Sequence, residues 1–137
     1  MSAYWLLKTE PNEYSFSDLQ RDATAPWDGV RNAVALKNLR SMITGDLCVI
    51  YHSGDERRAV GLARVASDPY PDTDDPSGKL VLVDLAVDDP LNRPVTLAEL
   101  KALPIFADSP LIKMSRLSVV PLTDDQYDAL KRLADGG

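Results

Sequence analysis

Cysteine and histidine occur once each in this chain, as Cys48 and His52, and tryptophan and phenylalanine only twice each. A single cysteine rules out a disulfide within the chain and fits a reducing compartment, cytoplasmic or nuclear. A single histidine means that any Cys-His or Ser-His nucleophile pair must use His52. Cys48 and His52 fall in one predicted strand, about 13 Å apart at strand rise, too far for a hydrogen bond. No zinc spacing surrounds that imidazole, and Asp72, Asp74 and Asp75 lack the twelve-residue calcium-loop pattern. Phosphate-binding glycine loops and G-x-S-x-G elbows are missing too. The start, "MSAYWLLKTEP", has no basic n-region and only a short apolar run, so neither a signal peptide nor a membrane span is expected there. Nothing calls for catalysis or a cofactor.

Basic excess is lacking as well. The net charge is −6, which argues against an indiscriminate polyanion binder. The charge is uneven, however. Between residues 31 and 64, Arg31, Lys37, Arg40, Arg57, Arg58 and Arg64 outnumber Asp46, Asp55 and Glu56. Between residues 68 and 89, seven aspartates face only Lys79. One basic side could serve nucleic-acid phosphates, with Arg31, Lys37, Arg40, Arg57 and Arg58 as the candidate contacts.

What is present is enough for one domain spanning residues 1–137, since 45% of the chain is hydrophobic. "AYWLL" reads as a buried strand, and Ser15 or Ser17 can cap a short helix in "SFSDLQR". Asn32 is placed to cap a helix whose stripe would be Val34, Leu36, Leu39, Met42 and Ile43. "LCVIYHS" and "AVGLARVAS" flank "GDERR" as a hairpin, and "KLVLVDLAV" is the strongest strand pattern. Thr96 with Glu99, and Thr123 with Gln126, form capping boxes, and "RLSVVPL" reads as the last strand. Short helices set irregularly between strands predict an α+β fold: a small mixed sheet, closed into a partial barrel, with peripheral helices.

The stretch "WDGVRN" is the most suggestive. It sets an indole beside an acid, a glycine, an arginine and an amide, where a core would need only the indole. A pocket for a flat heterocycle needs a π face and groups that reach its edge. Trp27 supplies the first, Asp28 and Asn32 the second. Trp5 and Tyr51 read as core, and Tyr14 and Tyr70 as loop braces.

These segments, with "KTEP", "YHS", "YPD" and "RLSV", run in one order over nearly the whole chain, and the chain resembles the EVE domain family on them. The resemblance implies a PUA-like mixed β-barrel with short peripheral helices, related to YTH and ASCH domains. It implies a nucleic-acid-binding module that takes a modified base, methylated or hydroxymethylated, into an aromatic pocket beside a basic groove. The partner would be DNA or RNA, not a membrane. Carried over by position, Trp27 is the stacking wall and Asn32 the edge reader. Lys8, Thr9 and Glu10 form one rim, Tyr51, His52 and Ser53 the opposite rim, and Tyr70, Arg116, Leu117 and Ser118 close the cavity.

Three segments depart from the family pattern. Ala33-Val34-Ala35-Leu36-Lys37 replaces Tyr-Gln-Ala-Arg-Asn, Val120 replaces a glutamine, and the segment from Pro71 to Lys79 is shorter and lacks a tryptophan. On this reading Ala33 faces the pocket and Val34 the core. An enzyme or accessory factor acting on a nucleotide or small anion in the same pocket is the alternative. A protein-interaction module using the acidic face is a third possibility.

Overall fold

The computed structural model describes residues 3–136, so Met1, Ser2 and Gly137 lie outside it. Seven strands form one mixed sheet: β1 (Tyr4–Thr9), β2 (Thr24–Trp27), β3 (Leu47–His52), β4 (Arg58–Val65), β5 (Tyr70–Pro71), β6 (Val81–Thr96) and β7 (Val119–Leu122). They run in the order β2-β6-β4-β3-β1-β7, with β5 added on β6. β1 and β3 are parallel, and the other pairs are antiparallel. This is the expected α+β sheet, a partial barrel. Among the described residues β2 and β7 end the hydrogen-bonded path without pairing with each other, so the barrel keeps an open seam.

Five short helices surround the sheet: α1 (Phe16–Asp22), α2 (Ala33–Arg40), α3 (Leu97–Lys101), α4 (Pro110–Lys113) and α5 (Asp124–Ala134). Their starts follow from local chemistry. Ser15, Thr96 and Thr123 each close a capping box with the residue three places on. Asn32 accepts from the N–H groups of both Val34 and Ala35. α2 packs on β6 and β7, and Asn38 ties it to the Val119 carbonyl at 2.8 Å.

The α2 stripe differs from expectation. The helix buries Ala35, Leu36 and Leu39, whereas Val34 is 41% exposed and Ile43, beyond the helix end, is 60% exposed. The Asn32 cap fixes the phase of the helix and turns position 34 outward. Ala33 is exposed too. Further elements escaped the hydrophobic pattern. β2 contains Pro26, which an edge strand tolerates because its missing N–H need not face a neighbour. α4 and a 3₁₀ turn at Pro104–Phe106 are too short to show a period. β6 runs past Pro90 to Thr96, bent where its register with β4 shifts around Gly61. Gly61 is required there, because a Cβ would lie 2.2 Å from the Phe16 ring.

The core joins sheet residues such as Leu6, Leu7, Val49, Ile50, Val83, Leu85 and Val119 to Leu19, Leu39, Leu100 and Leu130 from the helices. Asp46 is 2% exposed and accepts from Ala3 N, Trp5 Nε1 and Ile43 N, each at 3.0 Å. A buried carboxylate thereby fastens the start of β1 to the turn before β3.

Candidate functional site

A cavity of about 500 Å³ opens where the barrel fails to close. Lys8, Thr9 and Glu10 line it from the end of β1, followed by Glu13 and Tyr14 from the next loop and Asp22 from the last turn of α1. Ala25, Pro26 and Trp27 line it from β2, Asp28, Gly29 and Val30 from the loop after it, and Ser118 from just before β7.

Its walls are held by local bonds. The Thr9 hydroxyl donates to the Tyr14 carbonyl at 2.7 Å, and the Tyr14 phenol to Asp22 at 2.8 Å. The Tyr14 and Trp27 rings meet edge to face, with centroids 6.2 Å apart at 81°. Gly29 takes φ +77°, the left-handed turn that leads from β2 towards the α2 cap. Lys8 Nζ donates to the Ser115 carbonyl at 2.9 Å and lies 5.5 Å above the Tyr51 ring. Burial lowers the pKa of that ammonium.

Trp27 is only 6% exposed, yet its Nε1–H has no hydrogen-bond partner among the described residues. No fully buried side-chain nitrogen or oxygen is left without a partner, so this N–H, on a residue that lines the cavity, is not sealed off. The backbone N–H and C=O groups of Gly29, Val30 and Arg31 likewise make no hydrogen bond among the described residues. The site therefore combines a π surface with unused donors and acceptors.

The charge of the lining corrects the expected basic rim. Glu10, Glu13, Asp22 and Asp28 face the cavity against Lys8 alone. Asp22 is held below the usual carboxylate range by hydrogen bonds from Arg21 and then Tyr14. Burial, then the bond to Asp22, pushes the Tyr14 phenol from 10.0 to about 12. The folded protein thus favours the neutral phenol. The stability this contributes is intact below pH 10.0 and is lost as pH rises through about 12. In a titration followed by phenolate absorbance, Tyr14→Phe is expected to remove one late transition near pH 12. Loss of a transition near pH 10 instead would show that the Tyr14–Asp22 bond does not persist in solution.

The remaining expected site residues lie elsewhere. Asn32 is an exposed cap whose side-chain oxygen is committed to two backbone amides. Tyr51 and His52 are buried beside β1, in register with Lys8 and Thr9, so they are neighbours of the first rim and not an opposite one. His52 Nε2 accepts the Phe16 N–H at 3.0 Å and its Nδ1 lies 2.9 Å from Glu56, which seats α1. Ser53 bonds through its N–H to the Thr9 carbonyl. Tyr70 donates to Asp84 at 2.6 Å on the far strand. Leu117 is core and Arg116 exposed, and only Ser118 of that run reaches the cavity.

The basic set divides as well. Arg31 and Lys37 are exposed on the α2 side, while Arg40 is bound to the Lys79 carbonyl. Arg57 lines a second hollow with Asp55, Glu56 and Lys101, Arg58 pairs with Glu56, and Arg64 with Asp88. Among the described residues no cluster of His, Cys, Asp or Glu is arranged to hold a metal ion, and no helix is long and apolar enough to cross a membrane.

The model of one family, the EVE domain, matches residues 3–133. This chain belongs to the EVE domain family. Mouse thymocyte nuclear protein 1 is 33% identical to it over 98% of this chain and 75% of its own length. Rpa0253 from Rhodopseudomonas palustris is 41% identical with a TM-score of 0.91, covering 97% of this chain and 93% of that one. The human THYN1 protein, solved in complex with DNA containing 5-methylcytosine, is 30% identical with a TM-score of 0.92, covering 98% of both chains. The PUA-like α+β fold of the EVE domain is thus shared along the whole described sheet. None of the three departures from the family pattern lines the cavity: Ala33 and Val34 are exposed on α2, Val120 is buried in β7, and the loop from Pro71 to Lys79 lies apart from it.

Proposed function

We propose that this EVE domain is a non-catalytic reader of a modified base in DNA or RNA, held in the cavity between β1, β2 and the loop after β2. The observation that carries the reading is Trp27, a nearly buried indole with its N–H unused, beside three residues whose backbone polar groups are also unused. The indole can stack a flat ring while the neighbouring backbone groups bond its edge. Similarity to a protein solved with 5-methylcytosine-containing DNA supports the same reading. Lys8, Thr9, Glu10, Trp27, Asp28 and Ser118 are the proposed ligand contacts, joined by Tyr14 and Gly29. The chain acts as one domain, and its lone cysteine, buried and free, suits a cytoplasmic setting.

Taking a base out of a duplex costs a few kcal/mol, and stacking on Trp27 returns about 1–3 kcal/mol. The test is a tryptophan-fluorescence titration with oligonucleotides that carry one modified base, against the same sequences unmodified. Tighter binding of the modified strand is expected, and equal binding throughout would reject the reading. On the α2 side and just before β7, the exposed cations without a partner among the described residues are few: Arg31, Lys37 and Arg116. The slope of log affinity against log salt is therefore expected between about −1 and −3. A slope near −6 or steeper would require a phosphate groove that these residues do not make.

A further inference from the structure

Base readers of neutral heterocycles need a polar edge but no net charge, and this cavity carries a pronounced one. Four carboxylates line it against one ammonium. Asp22 is engaged by Arg21 and Tyr14, but the Glu10, Glu13 and Asp28 carboxylates take part in no ion pair among the described residues. They accept no hydrogen bond there either. Lys8 does not neutralise them, because its ammonium is turned to the Ser115 carbonyl and the Tyr51 ring. Carboxylates left unpaired beside an aromatic surface raise the local affinity for a cation, which the π face of an indole also attracts.

We propose that the base this pocket takes carries a fixed positive charge on its ring, through alkylation of a ring nitrogen; the proposal rests on the modified-base reading above. Among such bases 7-methylguanine has the edge that fits best. Its N1–H and exocyclic amino group donate to carboxylates such as Glu13 and Asp28, since the Glu10 carboxylate is packed against Gly54. Its O6 accepts from the unpaired amides of Gly29 and Val30. The charged ring meets the indole face. A trimethylated lysine would satisfy the aromatic and acidic groups but would leave those free N–H donors without an acceptor.

Isomeric nucleosides separate charge from size. 1-Methyladenosine is cationic and N6-methyladenosine neutral, and 3-methylcytidine and 5-methylcytidine form a second such pair. Titration of the intact protein with these four, with guanosine and 7-methylguanosine, and with a trimethyl-lysine peptide follows Trp27 fluorescence. Each cationic member is expected to bind about tenfold or more tightly than its neutral counterpart, with 7-methylguanosine the tightest. Glu13→Gln with Asp28→Asn is expected to shrink that preference several-fold; either single change is the second variant, should the double change unfold the protein. Neutral modified nucleosides binding as tightly as the cationic ones, yet above unmodified ones, would overturn the charge proposal and leave the base-reading function standing. Modified nucleosides that all bind no better than unmodified ones would overturn both. A trimethyl-lysine peptide that outcompetes every nucleoside would overturn the proposal in favour of a protein partner.

Discussion

Trp27→Ala is expected to lower stability by about 3–5 kcal/mol and to weaken ligand binding in what remains folded by about one to two decades. The sequence pattern points to a wall that carries affinity more than stability, but burial gives the indole both roles. At 6% exposure the indole belongs to the core cluster and to the cavity at once. Removing it leaves a void on the core side and takes away the stacking surface on the other. Trp27→Phe separates the two roles, since it keeps most of the packing volume and deletes the N–H. The Phe variant should melt within a few degrees of the parent and still lose about 1–1.5 kcal/mol of binding. Full retention of affinity in the Phe variant would mean that Nε1–H meets no ligand acceptor.

Asp46→Ala is the second large effect, and it lies well away from the cavity. Its carboxylate gathers three donors: two backbone amides and the Trp5 indole N–H. Each buried donor left unsatisfied costs about 1–3 kcal/mol, so a loss of about 3–5 kcal/mol is expected in urea unfolding. Asp46→Asn should fall between, because one oxygen still accepts while the new amide meets an N–H head-on. The Trp5 emission should shift in both variants, and ligand affinity per folded molecule should not change. A loss below about 1 kcal/mol would show that water replaces the carboxylate at this turn.

Much of the scaffold was legible because its signals are local. The boxes at Thr96 and Thr123, and the Asn32 cap, are side-chain-to-backbone bonds spanning two or three residues. Trp27 stood out as a site residue because its polar neighbours had no purpose in a core. β2 was hidden by Pro26, although the alternation of buried Ala25 and Trp27 with exposed Thr24 and Pro26 is a two-residue period. The acidic lining was hidden for a different reason. Glu10, Glu13 and Asp22 face Asp28 only once α1 folds back between β1 and β2, a juxtaposition that no local pattern records. The rim assigned to Tyr51, His52 and Ser53 failed because β3 is hydrogen-bonded to β1 itself, which leaves no space between them. The α2 stripe held at Leu36, Leu39 and Met42 and failed at its two ends, where Val34 and Ile43 face solvent.

The seam between β2 and β7 has a mechanical consequence. A guest that enters there parts no rung of any ladder, since among the described residues those two edges share none. Binding can therefore proceed without a transient opening of the sheet, and ligand should not speed amide hydrogen exchange along β1, β3 and β4. Protection should instead appear at Gly29, Val30 and Arg31, whose N–H groups have no partner until a guest supplies one.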